Sequence, residues 1–184
     1  MDWREDRELR AATEKVSSMI TNITTQLQRG NFQYVQLQIS PNGVKHTNFY
    51  TKGMYQDTYS DILNDPGKSI DCRMVNNGYW DEHNVEETVK NIAVHINAKG
   101  SVCFSKDGSK FKTSGKIDNN INLTIDNETK DDYVVICTLK NAKKQGNKCD
   151  VNPGTDGKPA YLVLWSRFGT VKKYKWSGSA WTIL

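Results

Sequence analysis

The chain opens on a long stretch with a helical period. Leu9, Ala12, Val16, Met19 or Ile20, Ile23 and Leu27 recur at steps of three and four, which paints one apolar stripe on a helix from about Trp3 to Gln28. Gly30 then stops it, with Arg29 in the last turn. Such a helix of about 26 residues is roughly 39 Å long at 1.5 Å per residue. Its first two turns, Asp2 to Arg10, are almost entirely charged. The pattern therefore predicts a helix that projects from the body at its start and packs on a sheet only beyond about Val16.

After Gly30 the period becomes two. Val35, Leu37 and Ile39 alternate with Tyr34, Gln36 and Gln38, a half-buried strand ending at the Pro41-Asn42-Gly43 turn. The alternation returns in Ile92, Val94 and Ile96, then in Val102 and Phe104 before a Lys106-Asp107-Gly108 turn. It continues in Ile121, Leu123 and Ile125, in Tyr133, Val135, Cys137 and Leu139, and in Tyr161, Val163 and Trp165. Val171 to Trp176 and Trp181 to Leu184 close the chain. Residues 44–90 are less regular, with Tyr50, Tyr55, Tyr59, Pro66-Gly67, Asn76-Asn77-Gly78 and Tyr79-Trp80. They predict a long excursion pinned by Cys72, with a short helix or turn near Glu86 to Lys90. One long helix followed by six to eight short strands is an α+β layout, a helix laid on antiparallel sheet. Neither a repeat nor a linker interrupts it, so the whole of residues 1–184 reads as one domain.

Composition fits a polar, aromatic-rich globular chain: 36% hydrophobic, 25% charged and 10% aromatic residues, with a mean hydropathy of −0.69. The apolar runs, such as Val134 to Cys137 and Tyr161 to Trp165, fall far short of the roughly 20 residues that span a bilayer. Met1 is followed at once by Asp2, Trp3, Arg4, Glu5 and Asp6, which is not a signal peptide and looks like a cut or a mature end.

The net charge of +4 is unevenly spread. Residues 140–184 hold nine basic residues against Asp150 and Asp156, a net +7 that leaves −3 for the remainder. Asymmetry of this kind points either to a polyanionic partner or to a solvated basic face.

Cys72, Cys103, Cys137 and Cys149 contain no C-x-x-C pair, and His46, His83 and His95 are not spaced with them as zinc ligands would be. Two disulfides in an oxidising compartment fit the pattern better than four buried free thiols. Of the three connectivities, Cys137 with Cys149 is favoured because it closes a short Lys/Gly/Asn loop, leaving Cys72 for Cys103.

Chemistry-bearing motifs are sparse. The chain has no P-loop, no G-x-G-x-x-G opening a helix, no H-E-x-x-H, no G-x-S-x-G elbow and no EF-hand loop. His83 and His95 are conceivable general bases, but His95 sits between Val94 and Ile96 on a strand whose other face is expected to meet solvent. Asp131-Asp132 and Glu86-Glu87 are adjacent in sequence and so diverge on a strand. The sequons at Asn22, Asn122 and Asn127 are of the kind that an Asn/Thr-rich chain produces by chance. A non-enzymatic role, with no metal and no cofactor, is the expectation.

Several segments carry a resemblance. Gly100-Ser101-Val102-Cys103-Phe104-Ser105-Lys106-Asp107-Gly108 resembles the strand and F-x-x-D-G turn of the GspH/FimT/FimU group of type IV minor pilins and type II secretion pseudopilins. Val135-Ile136-Cys137 with Cys149 is similar to that group's strand-Cys, polar loop, Cys. Leu162-Val163-Leu164-Trp165-Ser166-Arg167-Phe168-Gly169-Thr170-Val171-Lys172 is similar to its closing strand pair, and Glu8-Leu9-Arg10-Ala11-Ala12 with Asn31 to its beginning. Residues 44–90 match nothing in it.

The resemblance implies a pilin-like fold and a precursor with a prepilin peptide and an apolar half-helix, which anchors the chain in the inner membrane and later packs in the filament. It places the chain facing the periplasm of a Gram-negative bacterium and then in an extracellular fibre. The implied function is a minor pilin that helps prime type IV pilus assembly, with other minor pilins and the major pilin as partners. A type II secretion pseudopilin is the near alternative, and DNA capture for natural transformation is another.

For DNA, the group's basic Gly-Arg-x-Arg patch aligns with Gly169-Thr170-Val171-Lys172, where Thr170 replaces the first Arg and Lys172 the second. Arg167, Lys172, Lys173, Tyr174 and Lys175 are then the candidate contacts. On a strand Lys173 and Lys175 share a face with Val171, while Lys172, Tyr174 and Trp176 share the other, so the rings either stack on bases or fill a core. Outside the group, exposed Tyr50, Tyr55, Tyr59, Tyr79 and Trp80 would suit a secreted carbohydrate-binding, adhesive module.

Overall fold

The computed structural model describes residues 3–30, 32–74, 80–81, 85–90 (backbone only), 94–105, 114–119, 121–155, 157–167 and 169–184. The Asn76-Asn77-Gly78 and Lys106-Asp107-Gly108 turns, Tyr79, His83, Ile92, Asn31, Phe168 and Asp156 lie outside the described residues. In chain order the elements are α1 (Trp3–Gln28), β1 (Tyr34–Asn42), β2 (His46–Met54), α2 (Gln56–Leu63), β3 (Val85–Lys90), β4 (Val94–Asn97) and β5 (Lys99–Ser105). They continue with β6 (Gly115–Asp118), β7 (Leu123–Ile125), β8 (Glu128–Lys130), β9 (Tyr133–Thr138), α3 (Leu139–Lys144), β10 (Ala160–Trp165), β11 (Val171–Trp176) and β12 (Trp181–Ile183).

The strands form two five-stranded antiparallel sheets, ordered β3-β2-β1-β5-β6 and β12-β11-β10-β9-β4, and a separate ribbon, β7-β8. The fold is α+β, an N-terminal helix packed on antiparallel sheets with two disulfides. Both sheets turn an aliphatic face to α1. Val35, Leu37, Ile39, Phe49, Val102 and Phe104 from the first, and Val94, Ile96, Val134, Ile136, Tyr161 and Val163 from the second, join the helix stripe in one core. Period-two alternation forces this arrangement, because each strand then has a second face that needs its own cover.

On the first sheet that cover is a cluster of Tyr34, Met54, Ile62, Ile70, Cys72, Trp80 and Cys103. On the second it is Leu123, Tyr133, Val135, Cys137, Leu162, Tyr174 and Trp176 with their neighbours. Each disulfide fastens one cover: Cys72 to Cys103 and Cys137 to Cys149, the pairing expected.

The helix span and its stop agree with the sequence, and Gly30 takes φ +79° as it donates its N–H to the Leu27 carbonyl. The expected projection does not occur. Leu9 is fully buried, and Ala12 and Thr13 are buried too, so the sheets grip the helix well before Val16. Only Trp3, Arg4, Arg7 and Arg10 of the described lead are exposed. The charged start is held by partners from the far end of the chain, which removes the projecting helix as support for the pilin resemblance.

Residues 44–90 also depart from expectation. β2 pairs with β1 from Asn42↔His46 to Tyr34↔Met54, a regular hairpin partner whose inward positions Thr47 and Phe49 alternate too weakly to announce it. The short helix or turn expected near Glu86 to Lys90 is instead β3, an edge strand paired with β2. The helix of this region is α2, and its Tyr55 N-cap contributes no side-chain hydrogen bond, so no capping signal marked it.

Candidate functional site

β11 lies between β10 and β12, with the alternation expected of it. Val171, Lys173 and Lys175 face α1, and Tyr174 and Trp176 point into the opposite core with only 6% and 7% of their surface exposed. The Trp176 indole Nε1 donates to Thr155 Oγ1 at 2.8 Å. Tyr174 therefore presents no ring on which a base could stack, a correction to its expected role.

The lysines on the helix side meet α1. Lys173 Nζ lies 2.5 Å from Glu14 Oε1, and Lys175 Nζ lies 3.5 Å from Asp6 Oδ1 and 5.6 Å from the centre of the Tyr161 ring. The Tyr161 hydroxyl donates to Asp6 Oδ1 at 2.6 Å and accepts from Arg10 Nε at 2.9 Å, while Arg10 also pairs with Asp6 at 2.8 Å. Burial alone would raise the Asp6 carboxyl, but the Tyr161 hydroxyl and the charges of Lys175 and Arg10 outweigh it and hold it below its ordinary value. Burial, and then its hydrogen bond to Asp6, push the Tyr161 phenol up.

Arg167 is committed elsewhere. Its Nε and Nη2 grip both oxygens of Asp132, at 2.8 and 3.0 Å, and its Nη1 donates to the Ser114 carbonyl at 3.0 Å. The guanidinium thus joins the start of β6 in one sheet to the approach to β9 in the other, a fork geometry that lysine cannot supply. Beside it, Gly169 has φ +101°, and a Cβ there would fall 2.2 Å from Thr24 Cγ2. The Ser166 to Thr170 turn is shaped by the passing helix.

Among the five candidate contacts, Lys172 is the exposed one for which the structure gives no such partner among the described residues. Of the nine basic residues in 140–184, Lys140, Lys158, Arg167, Lys173 and Lys175 make ion pairs, with Glu5, Asp150, Asp132, Glu14 and Asp6. The basic tail meets the acidic residues of the helix start. The sequence signal for this was present in the −3 balance of the rest of the chain, but pairing could not be read from it.

His95 is buried, not at solvent as expected, with its Nδ1 2.8 Å from the Val44 carbonyl. The tyrosine-rich excursion is largely packed as well. Tyr55 is 39% exposed and stacks on Phe32, Tyr59 packs against Tyr34, and Trp80 is buried with its Nε1 donating to the Met74 carbonyl. Among the described residues, Tyr55, Tyr59 and Trp80 do not form one exposed cluster of rings.

A cleft of about 420 Å³ that no sequence pattern announces lies between the β7-β8 ribbon and the β11-β12 hairpin. Its walls come from Ile121, Ile125, Val151, Trp176 and Trp181, and its rim from Asn122, Thr124, Asp126 and Ser179. Three-residue strands such as β7 and β8 leave too few alternations to place them opposite Trp181 in advance.

No family model, no curated protein and no solved structure matches the chain.

Proposed function

We propose that the chain is a non-catalytic structural subunit of the minor-pilin kind, one that helps prime the assembly of a type IV pilus by offering α1 to neighbouring subunits. The observation that carries this reading is the two-sided use of the helix. One side is gripped by both sheets from Leu9 to Leu27, while Arg4, Arg7, Ala11, Lys15, Ser18, Thr21 and Asn22 lie exposed along the other. A helix fixed in this way is already ordered before a second chain meets it, so docking loses little conformational entropy. The segments that resemble the GspH/FimT/FimU group and the two disulfides support the same reading, since disulfides persist in a periplasmic or extracellular setting. On this reading the partners are other minor pilins and the major pilin.

A photo-reactive amino acid at Ser18 or Asn22, introduced in the producing cells, tests it. The expected adducts join this chain to other chains that begin in a pilin-like helix, and deletion of the gene lowers the number of fibres. Adducts from Asn127 on the far side but none from Ser18 or Asn22 would overturn the proposal.

A further inference from the structure

We propose that the cleft between the β7-β8 ribbon and the β11-β12 hairpin binds an oligosaccharide of pyranoses with equatorial hydroxyls. The inference does not rest on the assembly reading. Its volume of about 420 Å³ lies in the range of small-ligand sites, about 300–1,000 Å³.

The chemistry of the walls selects the ligand. Trp176 and Trp181 are cross-strand partners with ring centres 5.1 Å apart, and Thr155 holds the Trp176 indole in place through its Nε1. Trp181 is half-buried, so one large flat ring is fixed at its edge yet still open to the cleft. The rim carries two hydroxyls, an amide and one carboxylate, from Thr124, Ser179, Asn122 and Asp126, all exposed. No lysine or arginine lines the cleft among the described residues, so it has nothing to neutralise a phosphate or a carboxylate ligand. A ligand that suits these walls is apolar on a flat face and hydroxylated around its edge. A pyranose with equatorial hydroxyls has that form, because its axial C–H bonds cover the ring face while its hydroxyls point outward.

The cleft also sits where a ligand can reach it. It opens on the face of the second sheet turned away from α1, so contacts made along the exposed side of the helix do not close it. Among the described residues the ribbon pairs only with itself, and its Asp126-Asn127 turn takes φ +53° and +63°. This geometry fits a tight two-residue hairpin and carries Asp126 on the tip facing the second hairpin.

The test is titration of the full chain with N-acetylchitohexaose and, separately, with cellohexaose, followed by tryptophan fluorescence and amide NMR shifts. Saturable changes confined to residues 121–126 and 176–181 are expected with at least one of the two. Trp181→Ala should weaken that binding by about tenfold or more, with Trp181→Phe keeping most of it. Asn122→Ala and Ser179→Ala, both at exposed positions, should weaken it without altering the fold. Three results would each overturn the proposal: no saturable change with either sugar at millimolar concentration, changes centred elsewhere on the chain, or binding that survives Trp181→Ala in a folded variant.

Discussion

On the first sheet, the face turned from α1 is covered, among the described residues, by the segment that follows β2, whereas on the second the corresponding face is covered in part and leaves a cleft. Both covers are anchored by a disulfide, so the anchor is not what separates them. The difference lies in how the cover satisfies its polar groups. Over the first sheet, buried Gln36 donates from Nε2 to the carbonyls of Cys72 and Met74, at 2.8 and 2.7 Å, and Trp80 donates to the same Met74 carbonyl. An irregular loop can lie flat on a sheet when the sheet itself supplies donors. Over the second sheet, Asn141 ties α3 to Asp150 by two hydrogen bonds, but the ribbon beyond it spends its backbone groups on its own pairing. The cleft lies between this ribbon and the β11-β12 hairpin.

The helix joins the two sheets, and its two ends are held differently. The C-terminal half relies on aliphatic burial, while the N-terminal half adds the Asp6, Arg10, Tyr161 and Lys175 network to Leu9. If both halves are gripped, Ile23→Ala and Leu9→Ala should each lower unfolding stability by about 2–5 kcal/mol. Urea denaturation that finds a loss below about 0.5 kcal/mol at Leu9, within the range of surface substitutions, would show that only the C-terminal half is held.

Next in size come the anchors. In the chain-entropy description, replacing the Cys72–Cys103 pair by serines costs about 4 kcal/mol and replacing Cys137–Cys149 about 3 kcal/mol, since their separations are 31 and 12 residues. Equal losses, or the reverse order, would mean that the native covers rather than loop closure set the difference.

Gln36→Leu removes the donor for the Cys72 carbonyl and should cost about 1–3 kcal/mol. A neutral result would indicate that water reaches this cover and that the first sheet is less sealed than the contrast requires.

The smallest effect concerns pH. Because the folded Asp6 carboxyl lies below its ordinary value of 3.8, the unfolded chain binds more protons in that window and stability rises with pH there. Its contribution is present above 3.8 and is lost as pH falls through the folded value. Asp6→Asn should therefore differ from the parent near neutral pH and converge with it in strong acid. A difference that does not depend on pH would show that Asp6 acts by shape and not by charge.

Much of the fold was legible because it rests on neighbours in the chain. The stripe from Leu9 to Leu27 and the alternation in β1, β5, β9, β10 and β11 depend on residues two to four positions apart, and each of these elements formed where the period placed it, except that Leu139, expected to continue β9, opens α3 behind the Thr138 cap. β2 and β3 were missed because threonine, asparagine and glutamate interrupt their alternation, and sheet pairing overrides such weak local preference.

The sequence by itself determined the long helix, the strands rich in aliphatic residues and the cysteines available for two bridges. Tertiary structure alone decided what became of the charged and aromatic residues between them. Lys175 reaches Asp6 across 169 positions, Lys173 reaches Glu14 across 159 and Tyr161 reaches Asp6 across 155. No local period carries information over such spans, so five of the nine basic residues in 140–184 are found in ion pairs and a charged helix start expected to be exposed is held in part. Tyr174 and Trp181 show the same limit. Each sits on an alternating strand, and only the cover above that strand decided that one ring is buried and the other lines a cleft.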